Sequence, residues 1–61
     1  MNGWTLAINY KRAPDEFITI ENPDFIPRIG EKIITKFNSA PYTVIMVGYD
    51  YEKKLIGVSI D

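Results

Sequence analysis

The side chains that could carry out acid–base chemistry in this chain are carboxylates, since it contains no histidine and no cysteine. They occur as close neighbours at Asp15 and Glu16, and again at Asp50 and Glu52. A carboxylate pair acts as acid and base only in a cleft that perturbs its pKa values. A chain of 61 residues has little room for such a cleft, so we interpret both pairs as solvated turn residues.

Nucleophilic and phosphate-binding patterns are missing as well. Ser39 and Ser59 have no histidine that could serve as their base. Gly30 and Gly48 belong to no phosphate-binding motif, so we interpret Gly30 as a turn residue with permissive φ and Gly48 as a bulge or strand bend. We expect no catalytic residue, no bound metal and no cofactor.

Aromatic side chains favour a binding function more than any other feature. Eight of the 61 residues are aromatic, and a core of this size cannot bury all of them. We expect Phe17, Phe37 and Trp4 in the core. The remaining tyrosines either bury their rings with the hydroxyl in water, anchor a protein interface, or stack on nucleobases beside nearby cations. These tyrosines are Tyr10, Tyr42, Tyr49 and Tyr51, and the cations are Lys11, Arg12, Lys53 and Lys54.

The charge balance ranks these alternatives. Seven basic and eight acidic residues give a net charge of −1, which provides no overall field to steer nucleic acid. Asp15, Asp50 and Glu52 lie among the basic residues and would repel phosphate. We therefore expect a protein partner, with nucleic acid as a disfavoured alternative. A third alternative is a homo-oligomer that associates through Leu55 or an uncovered strand edge.

Two loops are the expected binding surface, at residues 50–54 and 25–30. A charged turn gives no reason to bury Tyr51. Arg28 lies between apolar neighbours in a proline-stiffened loop, which loses less entropy on binding. Both are residue types enriched at interface hot spots. The predicted partner-binding residues are Arg28, Tyr51, Phe25, Tyr49 and Lys53.

Five short β-forming segments must position these loops, at residues 4–10, 16–21, 31–37, 42–49 and 55–60. The first has one apolar face made of Trp4, Leu6, Ile8 and Tyr10, and the last has one made of Ile56, Val58 and Ile60. We expect the first two segments to form an antiparallel hairpin with a five-residue loop. No window predicts a helix.

The segment at residues 42–49 is predicted to be the central strand. Alternation places Val44 and Met46 on one face and Ile45 and Val47 on the other, and both faces are apolar. Before the third segment, Pro23 and Pro27 predict a loop that is pinned to the core by one of three apolar residues, Phe25, Ile26 or Ile29.

These patterns predict one all-β domain over residues 1–61, a small five-stranded antiparallel barrel or strongly bent sheet. No apolar stretch approaches the roughly 20 residues that span a membrane. The N-terminus has no basic region followed by an apolar block. We therefore expect a cytoplasmic protein without a membrane partner.

The segment from Pro27 to Ile60 resembles the small SH3-like barrels. The resemblance lies in three stretches, residues 27–33, 42–47 and 55–60, in which a Gly-acidic pair opens a strand, a Tyr/Val-rich strand follows, and an alternating Val/Ile strand ends the domain. It implies an SH3-like barrel, and short chains of this build look like accessory proteins of phages and mobile elements. The N-terminal hairpin at residues 4–20 does not map onto this pattern.

Overall fold

The computed structural model describes residues 2–35 and 40–61, and those residues form five strands and no helix. The strands are β1 (Thr5–Tyr10), β2 (Ala13–Glu21), β3 (Lys32–Ile33), β4 (Tyr42–Asp50) and β5 (Leu55–Ile60). They form one sheet in the order β2-β1-β5-β4-β3, which curls into a half-barrel. The predicted all-β fold class is confirmed.

β1 and β5 run parallel to each other, so the prediction of a wholly antiparallel sheet is wrong. Both strands alternate between half-buried and buried residues along their whole length, as predicted. Alternation reveals which side chains share a face, but it carries no information about strand direction. The core consists of Leu6, Ile8, Tyr10, Val44, Ile56, Val58 and Ile60.

The centre of the sheet is β5, so the prediction that residues 42–49 form the central strand is wrong. β4 pairs with β5 along one side, but on its other side β3 pairs only with Tyr42 and Thr43. Beyond Thr43, that side of β4 faces no other strand of the described residues. Ile45 and Met46 are accordingly 40% and 57% exposed.

A β-bulge at Ile45 also changes which β4 side chains share a face. Val44 pairs with Ile60, but Met46 pairs with Ser59, so Ile45 is an extra residue without a partner in β5. One extra residue reverses the faces of all side chains that follow it.

After the bulge, the pairing in β4 is regular. Val47 pairs with the buried Val58 and therefore faces the core, on the same side as Val44 and not the side of Ile45. Gly48 pairs with Gly57 in the same regular register. Of the two interpretations of Gly48, the bulge is therefore wrong, and the strand bend stays a prediction.

The first hairpin is tighter than predicted. β2 begins at Ala13, so the turn comprises Lys11 and Arg12 instead of five residues. A register irregularity between Asn9 and Tyr10 accommodates it. β2 tolerates Pro14 because it is an edge strand, where a missing N–H breaks no ladder hydrogen bond.

Two of the predicted core aromatics have different outcomes in the structure. Phe17 is 59% exposed, so its core assignment is wrong. It pairs with Asn9, whose neighbours in β1 point to the core, and this register places Phe17 on the outer face. Phe37 lies outside the described residues.

The segment between β2 and β3 crosses the concave side of the half-barrel. It begins beside Trp4, whose carbonyl accepts from the Asn22 N–H (2.8 Å), and it ends beside Val44, whose carbonyl accepts from the Gly30 N–H (2.9 Å). Ile26 packs against the core, whereas Phe25 and Ile29 are exposed, so Ile26 is the residue that pins this loop.

Candidate protein-binding surface

A short, hydrogen-bonded turn at residues 51–54 joins β4 to β5 and carries Tyr51. The Asp50 Oδ1 atom accepts hydrogen bonds from the backbone N–H groups of Glu52 and Lys53, both at 3.1 Å. Lys54 closes the turn with a left-handed φ of 52°. Aspartate at the first turn position acts here as an acceptor for its own loop, which fixes the backbone that presents Tyr51.

Trp4, Tyr49 and Tyr51 form a group of touching rings that we call the aromatic cluster. Trp4 meets Tyr51 edge-to-face at a centroid distance of 5.7 Å and meets Tyr49 in the same geometry at 6.3 Å. The two tyrosine rings are stacked, with centroids 6.3 Å apart. Edge-to-face and offset-stacked geometries are the favoured ones for aromatic pairs.

The aromatic cluster is anchored on one side and open on the other. Trp4 is half-buried and packs against the core, so its predicted place in the core is confirmed in part. Tyr49 is 47% exposed and Tyr51 is 78% exposed. A large apolar surface is thus held in place and left in contact with water, which suits it to bind another apolar surface.

Three of the five predicted partner-binding residues lie at this end of the molecule. Tyr49 and Tyr51 belong to the aromatic cluster, and the exposed Lys53 lies in the same turn. Nearby, the Lys54 ammonium group lies next to Gly3. The cluster therefore has cationic groups at its edge.

Arg28 and Phe25 lie elsewhere in the fold. The turn that holds Arg28 is attached to the first part of β4, because the Val44 N–H donates to the Glu31 carbonyl at 2.8 Å. Tyr51 follows the last residue of β4, roughly 20 Å away at strand spacing. The structure therefore does not bring the two predicted anchors into one compact patch.

Arg28 already has a partner within the chain. The Arg28 N–H donates to Glu31 Oε1 (2.6 Å), and the Arg28 guanidinium lies 3.7 Å from Glu31 Oε2. Both side chains are well exposed, and an exposed pair of this kind is worth less than about 1 kcal/mol. The pair orients Arg28 weakly and leaves most of its guanidinium in water.

The other tyrosines of the described chain are structural. Tyr10 is buried, meets Tyr42 edge-to-face at 5.3 Å, and is hydrogen-bonded through its hydroxyl to Thr35. Tyr42 is half-buried and packs against the core. Of the three alternatives that the sequence left open for the tyrosines, a buried ring is thus confirmed for Tyr10 and Tyr42.

The basic pairs lie at opposite ends of β1. The Lys11 N–H donates to the Ile60 carbonyl, while the Lys54 carbonyl accepts from the Thr5 N–H, both at 3.0 Å. Arg12 forms an ion pair with Asp61 at 2.8 Å. Because of this separation, the two pairs do not combine into one positive groove along the sheet.

The contact of Trp4 with the two tyrosines is the feature of this surface that the sequence did not reveal. Trp4 precedes β1, whereas Tyr49 and Tyr51 flank the end of β4. They meet because β5 lies between these strands and runs parallel to β1. Only a correct prediction of that parallel pair could have found the cluster.

The described residues were compared with two structural signatures, a metal-binding group of side chains and a membrane-spanning helix. Those residues contain no group of three side chains that could hold a metal ion. In the same residues no helix is long and apolar enough to cross a membrane. No protein-family model matches the chain, and no curated protein and no solved structure matches it.

Proposed function

We propose that this chain is a non-enzymatic protein-binding module that occupies a partner surface with its aromatic cluster. The main observation in support of this proposal is that three rings contact each other while Tyr51 keeps 78% of its surface in water. Rings that are already ordered lose little conformational entropy on binding, so more of their burial becomes affinity. In this proposal Tyr51 is the main anchor, Tyr49 extends the apolar surface, and Lys53 contributes charge at its rim.

The architecture supports the finer proposal of an SH3-like barrel. The curled five-stranded sheet is compatible with that family, and the N-terminal hairpin contributes β1 and β2 to the same sheet. From the small size and build of the chain we further propose an accessory or inhibitor protein of the type found in phages and mobile elements. A cytoplasmic location is proposed on the sequence argument alone.

Phe25 and Arg28 enter this proposal as a second contact region. Phe25 is 79% exposed and Arg28 is held only by its weak pair with Glu31. A partner that contacts both Tyr51 and Arg28 must extend over roughly 20 Å along β4. Loss of Tyr51 should therefore weaken binding more than loss of Arg28.

A weak nucleic-acid-binding barrel is the second candidate, because Tyr51 lies in a turn with Lys53 and Lys54. The same turn contains Asp50 and Glu52, so its formal charge is zero. Phosphate contacts provide most non-specific affinity for nucleic acids. This turn therefore favours a protein partner over a nucleic acid.

The test is capture of a partner from the source organism with immobilised wild-type protein, followed by mass spectrometry. Tyr51→Ala and the double variant Tyr49→Ala/Tyr51→Ala are used in parallel. Phe17→Ala is the matched control, since it also removes an exposed ring but lies on β2. We expect one partner to be captured by wild type and Phe17→Ala and lost with the double variant.

Calorimetry with the captured partner then measures the anchor. We expect Tyr51→Ala to weaken binding by at least about 1 kcal/mol, as is usual for an interface anchor. Arg28→Ala should cause a smaller loss of binding free energy. A partner that binds wild type and the double variant equally would contradict the proposal. Capture of nucleic acid alone, lost on nuclease treatment, would favour the second candidate.

A further inference from the structure

The outer edge of β2 is open. β2 is the last strand of the sheet and pairs only with β1 among the described residues. Seven of its nine residues are exposed, including Thr19 and Ile20. Alternate residues of an edge strand direct their backbone N–H and C=O groups away from the sheet, where another strand can bind them.

An apolar groove lies directly beside this edge. It has a volume of about 490 Å³ and is bounded by the inner faces of β1 and β2 on one side and by the chain between β2 and β3 on the other. Its walls include Ile18, Ile20, Phe25 and Ile34, and Asp24 is the one charged residue among the described residues that line it. Three of these apolar residues, Ile20, Phe25 and Ile34, are well exposed.

The charged residues of β2 and of the first part of the loop that follows it are all acidic, and the nearest cations in sequence, Lys11 and Arg12, lie in the turn before β2. Residues 13–27 contain Asp15, Glu16, Glu21 and Asp24 and no lysine or arginine. All four carboxylates are exposed and none has an ion-pair partner in the described part of the chain. Negative groups thus flank both ends of the apolar stretch from Phe17 to Ile20.

We propose that the β2 edge binds an extended segment of a partner protein, in which alternating apolar residues are flanked by lysine or arginine. The segment would add a sixth strand along β2, with every second side chain in the groove and its cations against the flanking carboxylates. Backbone hydrogen bonds supply affinity in this mode of binding, and pockets for alternate side chains supply specificity. Among the described residues, the groove shares no lining residue with the aromatic cluster, although its Phe25 also belongs to the second contact region proposed above. The inference does not rest on the function proposed above.

Charge decides against a second copy of this chain as the occupant. Two antiparallel β2 strands with their symmetry axis at Ile18 would place Asp15 opposite Glu21 twice. Like charges directly opposite each other destabilise a strand pair. A basic segment has the opposite effect at the same positions.

The test uses a nine-residue peptide. Its five central residues alternate between valine and threonine, and the two residues at each end are lysines. Titration into ¹⁵N-labelled protein should shift the amide signals of residues 16–21 and of Ile34. A peptide with glutamates in place of lysines, and a lysine peptide with N-methylated valines, should each bind at least about tenfold more weakly, since one loses the charge match and the other the strand hydrogen bonds.

A charge reversal in the protein provides the second measurement. The double variant Glu16→Lys/Glu21→Lys should bind the glutamate peptide better than the lysine peptide. Glu52→Lys, with a charge change of the same sign in the β4–β5 turn, should keep the wild-type preference. If the double variant does not fold, the three peptides on the wild-type protein still decide the question.

Three results would overturn the proposal. They are equal binding of the lysine and glutamate peptides, signal changes confined to Trp4, Tyr49 and Tyr51, and full binding of the N-methylated peptide. Sedimentation of the protein alone tests the other occupant. A concentration-dependent dimer that excludes the peptide would show that a second copy covers this edge.

Discussion

Val44 and Val47 point to the same face of β4 although they are three positions apart in sequence, a spacing that strict alternation would place on opposite faces. Val44 pairs with Ile60 and Val47 pairs with Val58, and both partners are fully buried. The bulge at Ile45 makes this arrangement possible, because it adds one residue to β4 without adding one to β5.

We expect Val44→Asp to abolish folding and Ile45→Asp to be tolerated. Val44 has no exposed surface, so aspartate there would be an unpaired charge in the core. Ile45 is 40% exposed at the bulge, where a carboxylate keeps most of its hydration. Far-UV circular dichroism and thermal melting of both variants against wild type measure the difference.

The comparison also tests the bulge itself. Strict alternation would make Val44 and Ile45 equally buried on two covered faces, so both variants would then unfold. Unfolding of Ile45→Asp together with a folded Val44→Asp would contradict the register described here.

The pair Val44 and Val47 shows which features of the fold can be predicted from the sequence and which cannot. Alternation in β1 and β5 predicted their buried faces correctly, because local sterics and burial determine the period of a strand. A bulge leaves no signal in a run of apolar residues, and sequence period does not record strand direction. The half-barrel could therefore be predicted as all-β, but its strand order could not.

The binding surface was predictable in a similar, partial way. Tyr51 and Lys53 lie in a polar turn, and their exposure follows from that local composition. Trp4 reaches Tyr51 only through the parallel pairing of β1 with β5, which is a long-range relationship. Phe17 was misplaced because a shorter hairpin turn set the register of β2 against β1.

A second prediction concerns stability and the aromatic cluster. We expect Tyr51→Ala to lower the free energy of unfolding by about 1 kcal/mol at most, since this ring is mainly exposed and loses only ring contacts. Trp4→Ala should lower it by about 2–3 kcal/mol or more, because Trp4 also packs against the core. Urea unfolding followed by far-UV circular dichroism measures both.

Trp4 also provides a direct probe, since it is the single tryptophan of the chain. Its emission should move to longer wavelength in Tyr51→Ala, because the ring gains water where Tyr51 covered it. Phe17→Ala, on the outer face of β2, should leave the emission unchanged. An unchanged spectrum in Tyr51→Ala would show that the two rings do not touch in solution.

Gly30 and Gly48 allow a matched test of backbone conformation. An added Cβ atom would meet no atom within 4 Å at either position, so neither substitution creates a clash. Gly30 has a φ of 93°, a conformation that side chains disfavour, whereas Gly48 lies in a regular strand. We expect Gly30→Ala to lose about 1–2 kcal/mol of stability and Gly48→Ala to be neutral or slightly stabilising.

Thermal melting suits this comparison, because 1 kcal/mol changes the midpoint by about 4–8 °C in a domain of this size. Equal losses in the two variants would mean that φ at Gly30 is not the cause.

Asn22 is expected to hold the start of the loop that crosses the concave side. It has a left-handed φ of 52°, and its Oδ1 atom accepts from the Gly3 N–H at 2.7 Å. Asn22→Ala should therefore lose about 1–2 kcal/mol, from the strained φ and the missing acceptor together.

Two further substitutions separate these causes. Asn22→Gly keeps the conformation but removes the acceptor, so a smaller loss is expected. Asn22→Asp keeps an acceptor and a residue that tolerates positive φ, and it should melt close to wild type. If alanine, glycine and aspartate have equal effects in thermal melts, Asn22 has no specific role.

The last prediction separates protein binding from nucleic acid binding. We expect no binding tighter than about micromolar to single- or double-stranded oligonucleotides near physiological salt, the usual range of non-specific contacts. The reason lies in the positions of the cations, since Lys11 and Arg12 lie at the opposite end of β1 from Lys54, and Arg12 is paired with Asp61. Fluorescence anisotropy at several salt concentrations measures this affinity. A submicromolar isotherm that weakens steeply with salt, and that is lost in Lys53→Ala/Lys54→Ala but not in Lys11→Ala/Arg12→Ala, would reverse the ranking and place nucleic acid on the aromatic cluster.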